Sequence, residues 1–273
     1  VQGIPSKNYS YGHRSHGSQE RLIMKAIVLG AGKGKRLLSE KHNMPKVMRL
    51  ADGKPLLFYV LESLAFCDEI IIVVSYMKEK VMEAAGPGYT YVDQMEVKGT
   101  GHAVAVTKDA LGGYTGPVLL AFGDSPLFRT STYKKMFEIH KKTDADCTNL
   151  TCTYPADEYL PHYGRILRDD AGEFLAVREH RDCTDEEKLI RETNVGVMVC
   201  NAPDMYDYLS MLDCNNARGE YYLTELPAIL KEKGKKVVIH SITDTDEAMG
   251  ANTPEDLENI AKVLEKRRAE KND

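Results

Sequence analysis

From Lys25 onward, short apolar runs alternate with stretches whose apolar residues recur every three or four positions. The run 25–29, ending in glycines, predicts a buried strand. Residues 55–66 carry Leu57, Val60, Leu61 and Leu64 on one helical face, with Pro55 near the start. A strand at 70–74 and a helix at 78–85 follow, and "GTGHAVAVTKDAL" turns through Gly99 and Gly101 into a further helix. "VLLAF" at 118–122 is a third strand, with a helix from 131 to about 142. This β-α rhythm predicts a Rossmann-like α/β fold with a mainly parallel sheet and helices on both faces. After Asp144 the rhythm changes. "GRILRDDAGEFLAVREH" predicts two strands around a turn at 169–172, and "TNVGVMVCN" another. These predict an antiparallel excursion over one end of the sheet. "KVVIHSI" returns as a strand, and Thr253-Pro254-Glu255-Asp256 opens a helix with a good cap, an early proline and two acids at the positive end. The final "EKRRAEKND" predicts a solvated helix end.

Composition narrows the class without naming a function. Of 273 residues, 28% are charged and 42% hydrophobic, and the net charge is −5. That balance fits a globular protein and argues against a general nucleic-acid or membrane-surface binder. The longest strongly apolar run, "IIIVV", is too short to span a bilayer. The six cysteines form no CxxC pair, so reduced thiols in a cytoplasmic protein are expected. Residues 1–23 are rich in Ser, Gly, His and Tyr and lack the apolar core of a signal peptide; they are expected to be either a native arm or an added remnant, outside a folded domain of residues 24–273.

The candidate chemistry starts at "AIVLGAGKGKRL". Gly30, Gly32 and Gly34 permit close approach of backbone N–H groups to an anion, while Lys33, Lys35, Arg36 and, further on, Lys46 supply positive charge. A simple strand-to-helix turn has no use for that charge. A dinucleotide fingerprint with Asp52 as ribose acid wants Gly or Ala where Lys35 stands. No Gly-Lys-Ser/Thr closes a P-loop. Four cations around glycine amides suit a triphosphate.

With "LGAGKGKRL…MPKVMRLADGKPLL", the chain resembles the sugar-phosphate nucleotidylyltransferases, and most of all the uridylyltransferase half of bifunctional N-acetylglucosamine-1-phosphate uridylyltransferases. The resemblance continues through "GTGHAV", "FGDSPL", "YGRILRD", "VREHRDCTDEE", "ETNVGVMV", "NNARGEYYLTEL" and "MGANTPEDL". It implies transfer of a uridylyl group from UTP to N-acetylglucosamine 1-phosphate, with Mg²⁺ as cofactor. Another sugar or nucleotide, or a nucleotide-sensing domain without turnover, remains open at this point. In the reaction an existing phosphate anion attacks, so cations and positioning are needed rather than a triad.

The resemblance assigns catalysis to Arg36 and Lys46. It assigns nucleotide binding to Leu29, Ala31, Gly32, Gly34, Gln94, Gly99 and Thr100, and Mg²⁺ to Asp124 and Asn252. Gly164, Glu179, Asn194, Tyr222 and Thr224 are implied to hold the sugar. Taken alone, Asp124 could be a turn residue before Pro126, Gln94 a surface residue and Tyr222 part of the core; His102 is expected to be structural. Lys35, Val97, Val195 and Glu225 depart from the family pattern, and "SEKHNMPK" is a few residues longer than usual. Nothing after Ala261 resembles the hexapeptide repeats of the family's acetyltransferase half, so neither that activity nor its β-helix trimer is expected.

Overall fold

The structure, a computed structural model, describes residues 23–272 except 33, 35, 36, 38 and 40. The expected arm 1–23, apart from Ile23, and the cations Lys33, Lys35 and Arg36 lie outside the described residues.

In chain order the elements are β1 (Lys25–Leu29), β2 (Leu50–Ala51), β3 (Lys54–Pro55), α1 (Leu56–Ser63), β4 (Glu69–Val74) and α2 (Lys78–Ala85). Then come β5 (Thr90–Asp93), α3 (Thr100–Ala105), β6 (Pro117–Phe122), α4 (Thr130–Thr143), β7 (Cys147–Thr153), β8 (Arg165–Arg168) and β9 (Phe174–Arg178). The chain closes with β10 (Glu192–Asn201), α5 (Ala202–Leu209), α6 (Leu226–Glu232), β11 (Val237–Ile242) and α7 (Pro254–Asn272). The main sheet runs β11-β7-β10-β6-β1-β4-β5. All its strands point one way except β10, which is antiparallel to β6 and β7.

Strand β1 reads as an unbroken apolar run because both of its faces are covered. Ala26 and Val28 pack with Leu57 and Val60 of α1 and Met136 of α4; Ile27 and Leu29 pack with Val104 of α3, Met205 of α5 and Leu230 of α6. A third cluster seats Leu257 and Ile260 of α7 on Leu37 and Ala51, closing the chain's end over the glycine-rich segment.

Two expectations change. The β8–β9 hairpin is the antiparallel excursion, but β10 is not confined to it: its start pairs with β8 and its end lies inside the main sheet. A bulge makes this bend possible, because four steps along β10 from Asn194 to Met198 match only two along β7 from Thr151 to Asn149. Gly196 sits in that bulge at φ +78°, and a Cβ there would stand 2.5 Å from the Phe122 ring. Second, the cationic end of α7 is not simply solvated: Arg267 donates to the Leu127 carbonyl (2.6 Å), and Arg268 pairs with Asp52 (3.0 Å). All six cysteines are free thiols, four of them buried. Among the described residues no helix is long and apolar enough to cross a membrane.

Candidate active site

The carboxyl ends of β1, β5 and β6 open on a cleft of about 970 Å³ that continues beside the β8–β9 hairpin. Such a crevice is where open α/β sheets bind ligands. Its lining brings together Leu29, Ala31, Gly32, Gly34 and Lys46 from the first loop, Gln94, Gly99 and Thr100 beyond β5, and Asp124 after β6. Gly164, Glu179, Asn194, Tyr222 and Thr224 line the other end, and Asn252 faces the junction. Of the residues expected at the site, Arg36 lies outside the described set, as do the neighbouring cations Lys33 and Lys35.

The junction is built from three distant segments. The Gly123 N–H donates to the Leu29 carbonyl (3.0 Å), and Ala251 N–H donates to the Asp124 carbonyl (2.9 Å), tying β1, the β6 end and the 250s loop together. The 250s loop is further held by Gly250 N–H donating to the Tyr163 hydroxyl (2.9 Å). Its far side is a capping box: the Asp256 carboxylate accepts from Asn252 N–H (2.8 Å) and Thr253 N–H (2.7 Å), while Thr253 Oγ1 accepts from Asp256 N–H (3.1 Å). That cap explains why Asn252 stands where it does. Lys46 Nζ forms an ion pair with Asp124 and donates to Asn252 Oδ1 at 3.2 Å. A carboxylate and an amide oxygen thus converge on one cationic centre. Among the described residues no group of three or more His, Cys, Asp or Glu side chains converges to hold a metal. Asp124 with Asn252 is therefore a two-oxygen donor set, suited to a hard cation that takes its remaining ligands from water and phosphate.

At the end of the cleft lined by the glycine-rich loop, Gln94 is buried, with 1% of its surface exposed. Its N–H donates to the Val74 carbonyl (2.8 Å) and its Nε2 to the Gly99 carbonyl (3.0 Å), with His102 Nδ1 3.1 Å away. The expected structural role of His102 fits this contact: it braces the amide. Gly99 has φ +112°, and a Cβ would lie 2.6 Å from the Tyr221 carbonyl oxygen, so only glycine lets the loop pass this closely. Thr100 Oγ1 accepts from Leu223 N–H (3.0 Å), linking the two ends of the cleft.

At the other end Thr224 Oγ1 donates to Glu179 Oε1 (2.9 Å), and Asn194 N–H donates to the Gly164 carbonyl (2.8 Å). Burial pushes the Glu179 carboxyl above its ordinary value, with the Thr224 hydroxyl and Arg218 opposing. Glu225 is pushed up to about 7 by burial and then by the charges of Asp213, Asp182 and Glu179. Between about pH 4.5 and 7 the folded chain therefore holds a proton there that the unfolded chain has lost. Folding stability from this group is present at low pH and is lost as pH rises through 7. Glu225→Gln is expected to flatten that dependence and raise Tm at pH 8 by about 2–4 °C, with little change at pH 4.5. Calorimetry at the two pH values checks this, and equal Tm values for both proteins at pH 8 would refute it.

Some residues in and behind the cleft had no role assigned from the sequence. His162 and His180, from separate loops, stack with ring centroids 4.2 Å apart and an interplanar angle of 10°. His180 Nδ1 is buried without a partner, and burial with nearby His162, Arg165 and Lys188 lowers its pKa. Arg165, 1% exposed, donates to the carbonyls of Pro161 (3.0 Å), Tyr163 (2.6 Å) and Lys188 (3.2 Å), fixing the loop that carries His162 and Gly164. Neither feature follows from spacing, since the partners meet only in the fold.

Comparison with known proteins bears on the family and the fold. The family profile described as "Nucleotidyl transferase" matches residues 25–237. The chain is 38% identical over 244 residues to the "Bifunctional protein GlmU" of Limosilactobacillus fermentum, covering 89% of this chain and 52% of that protein. It is 37% identical over 247 residues to the protein of the same name from Pelobacter propionicus, with the same two coverages. The chain thus spans about half the length of these relatives. Among solved structures it resembles apo UDP-glucose pyrophosphorylase, with a TM-score of 0.73 at 20% identity over 90% of this chain and 100% of that one. A putative glucose-1-phosphate thymidylyltransferase from Bacillus anthracis, in complex with a sucrose, gives a TM-score of 0.69 at 18% identity over 88% and 94%. At these identities the structural likeness is one of fold.

Proposed function

The chain belongs to the nucleotidyl transferase family, and on that premise we propose that it transfers a uridylyl group from UTP to N-acetylglucosamine 1-phosphate, giving UDP-N-acetylglucosamine and pyrophosphate. The observation that carries this reading is one continuous cleft with three zones: a glycine-lined end, a Lys46–Asp124–Asn252 junction, and a polar end of Glu179, Asn194 and Thr224. That layout suits two phosphorylated substrates meeting head to head.

In this reading a sugar-phosphate oxygen attacks the α-phosphorus of UTP, forming the new P–O bond as the bond to pyrophosphate breaks. The nucleophile is already ionised, so no residue needs to remove a proton. The chain's task is alignment and charge neutralisation. Backbone groups of Leu29, Ala31, Gly32 and Gly34 would cradle the nucleotide, and Gly99 and Thr100 would close on the base. The Gln94 Nε2 is committed to Gly99, which leaves its carbonyl oxygen to accept from the imide N–H of uracil. Lys46 and, by resemblance, Arg36 would offset the charge of the triphosphate. Gly164, Glu179, Asn194, Tyr222 and Thr224 would hold the sugar.

The Lys46 ammonium between Asp124 and Asn252 Oδ1 indicates that this donor set accepts a cation. Asp124 and Asn252 would hold Mg²⁺, which when bound supplies Lewis-acid neutralisation of the phosphate oxygens. Lys46 would then turn to the phosphates. UTP and sugar phosphates are cytoplasmic metabolites, so the reading carries a cytoplasmic location with it.

The test is pyrophosphate release with Mg²⁺ and a panel of nucleoside triphosphates and sugar 1-phosphates. UTP with N-acetylglucosamine 1-phosphate is expected to be the preferred pair. Nucleotide binding without release from any pair would contradict the reading and favour a sensing role.

A further inference from the structure

Asn149 lies in the middle of β7, opposite Met198 and beside Leu150, and none of its surface is exposed. Its Nδ2 donates to Asn194 Oδ1 at 3.1 Å, while its own Oδ1 is buried without any partner. A buried amide that leaves one end unsatisfied is costly, and a wholly apolar strand position would not carry it. Asn149 stands two residues along β7 from Thr151, the residue opposite Asn194, so the two amides meet diagonally across the β7–β10 pair.

We propose that Asn149 is a positioning residue that fixes which end of the Asn194 amide faces the cleft, and thereby favours a sugar 1-phosphate presenting a hydrogen-bond acceptor there, such as an acylamino carbonyl. The inference rests on the sugar-nucleotidylyl reading above. The two amides have only two matched arrangements. When Asn149 donates, Asn194 Oδ1 is occupied and its Nδ2 is the end left for the ligand. If both were reversed, Asn194 would offer an acceptor instead, and Asn149 would bury an unpartnered donor. The Asn194 backbone cannot adjust to compensate, because its N–H is held by the Gly164 carbonyl at 2.8 Å. Asn149 itself has no access to the cleft, so it acts only through its neighbour.

The experiment compares wild type, Asn149→Leu and Asn149→Asp, measuring KM for UTP, N-acetylglucosamine 1-phosphate and glucose 1-phosphate, together with Tm. Asn149→Leu exchanges one unpartnered acceptor for another, so Tm and the KM for UTP should stay close to wild type. Its KM for N-acetylglucosamine 1-phosphate should rise about tenfold, the scale of one misdirected hydrogen bond, and its preference over glucose 1-phosphate should shrink with it. Asn149→Asp, whose wholly buried carboxyl is held neutral and can donate through its O–H, should keep the Asn194 amide in place and retain most of the preference. An unchanged sugar KM and preference in a folded Asn149→Leu protein would overturn the assignment, as would an equal rise in the KM for UTP. If wild type releases no pyrophosphate with any sugar 1-phosphate, the parent reading fails and this one with it. Turnover by wild type with no effect of Asn149→Leu overturns this inference alone.

Discussion

If Asp124 holds Mg²⁺ as proposed, Asp124→Asn is expected to lower kcat about a thousandfold or more at millimolar Mg²⁺, because several kcal/mol of charge stabilisation at the phosphates would depend on that carboxylate. Asp124 stands two residues beyond the carboxyl end of β6, and its carbonyl is anchored by Ala251 N–H at 2.9 Å. The backbone of the site should therefore survive the substitution. Its side chain is also the ion-pair partner of Lys46, and the two side chains are only 20% and 14% exposed. Removing the charge leaves a largely buried ammonium with amide oxygens alone, so Tm should drop by a few degrees without loss of the fold. Raising Mg²⁺ should restore little, since the replacement amide is a weaker ligand. Near-normal turnover across a Mg²⁺ titration would place the metal elsewhere and remove Asp124 from the chemistry.

The second large effect is expected at Lys46. It follows Pro45 in a short 3₁₀ turn (Lys46–Met48), and Nζ reaches across to Asp124 and Asn252. Lys46→Ala should lower kcat by about 10²-fold or more, the scale of one preorganised donor lost from a developing charge. Steady-state kinetics separate the two ways in which this cation might be used. A fall in kcat and in kcat/KM together marks an interaction made in the transition state. A rise confined to KM for UTP would mean ground-state binding only, and the catalytic role would be withdrawn.

The fold was legible in the sequence where strands are buried on both faces. After their first residues the runs of β1, β4 and β6 are apolar because α1 and α4 cover one side and α3, α5 and α6 the other. The α7 start was equally readable, since Thr253 caps it as expected, and Asp256, expected only to favour the positive end, completes the cap. Strand β7 was not readable. Its sequence, "CTNLTCT", looks too polar for a central position. Yet Thr148 bonds with His140 Nδ1 (3.1 Å), Thr151 donates to Glu192 (2.8 Å) and Asn149 donates to Asn194, partners supplied by the tertiary fold. The same holds for β10, whose central place depends on a bulge that its hydrophobic pattern does not reveal.

The candidate site followed a similar division. Lys46 and Asn252 are 206 residues apart in the chain, and no local pattern joins them. Resemblance along the ordered motifs named both, and the cleft brings them within hydrogen-bond reach. His162 and Asn149 lie in none of those motifs, and His180 lies in one without a role assigned to it, so the histidine stack and the Asn149–Asn194 pair emerged only from the packed structure.

The most direct measurement is ³¹P NMR of the full chain incubated with UTP, N-acetylglucosamine 1-phosphate and Mg²⁺. The expected result is consumption of both substrates with appearance of pyrophosphate and UDP-N-acetylglucosamine in equal amounts, and no reaction when either substrate is left out. Unchanged spectra, or UTP breakdown that leaves the sugar 1-phosphate intact, would contradict the proposed transfer.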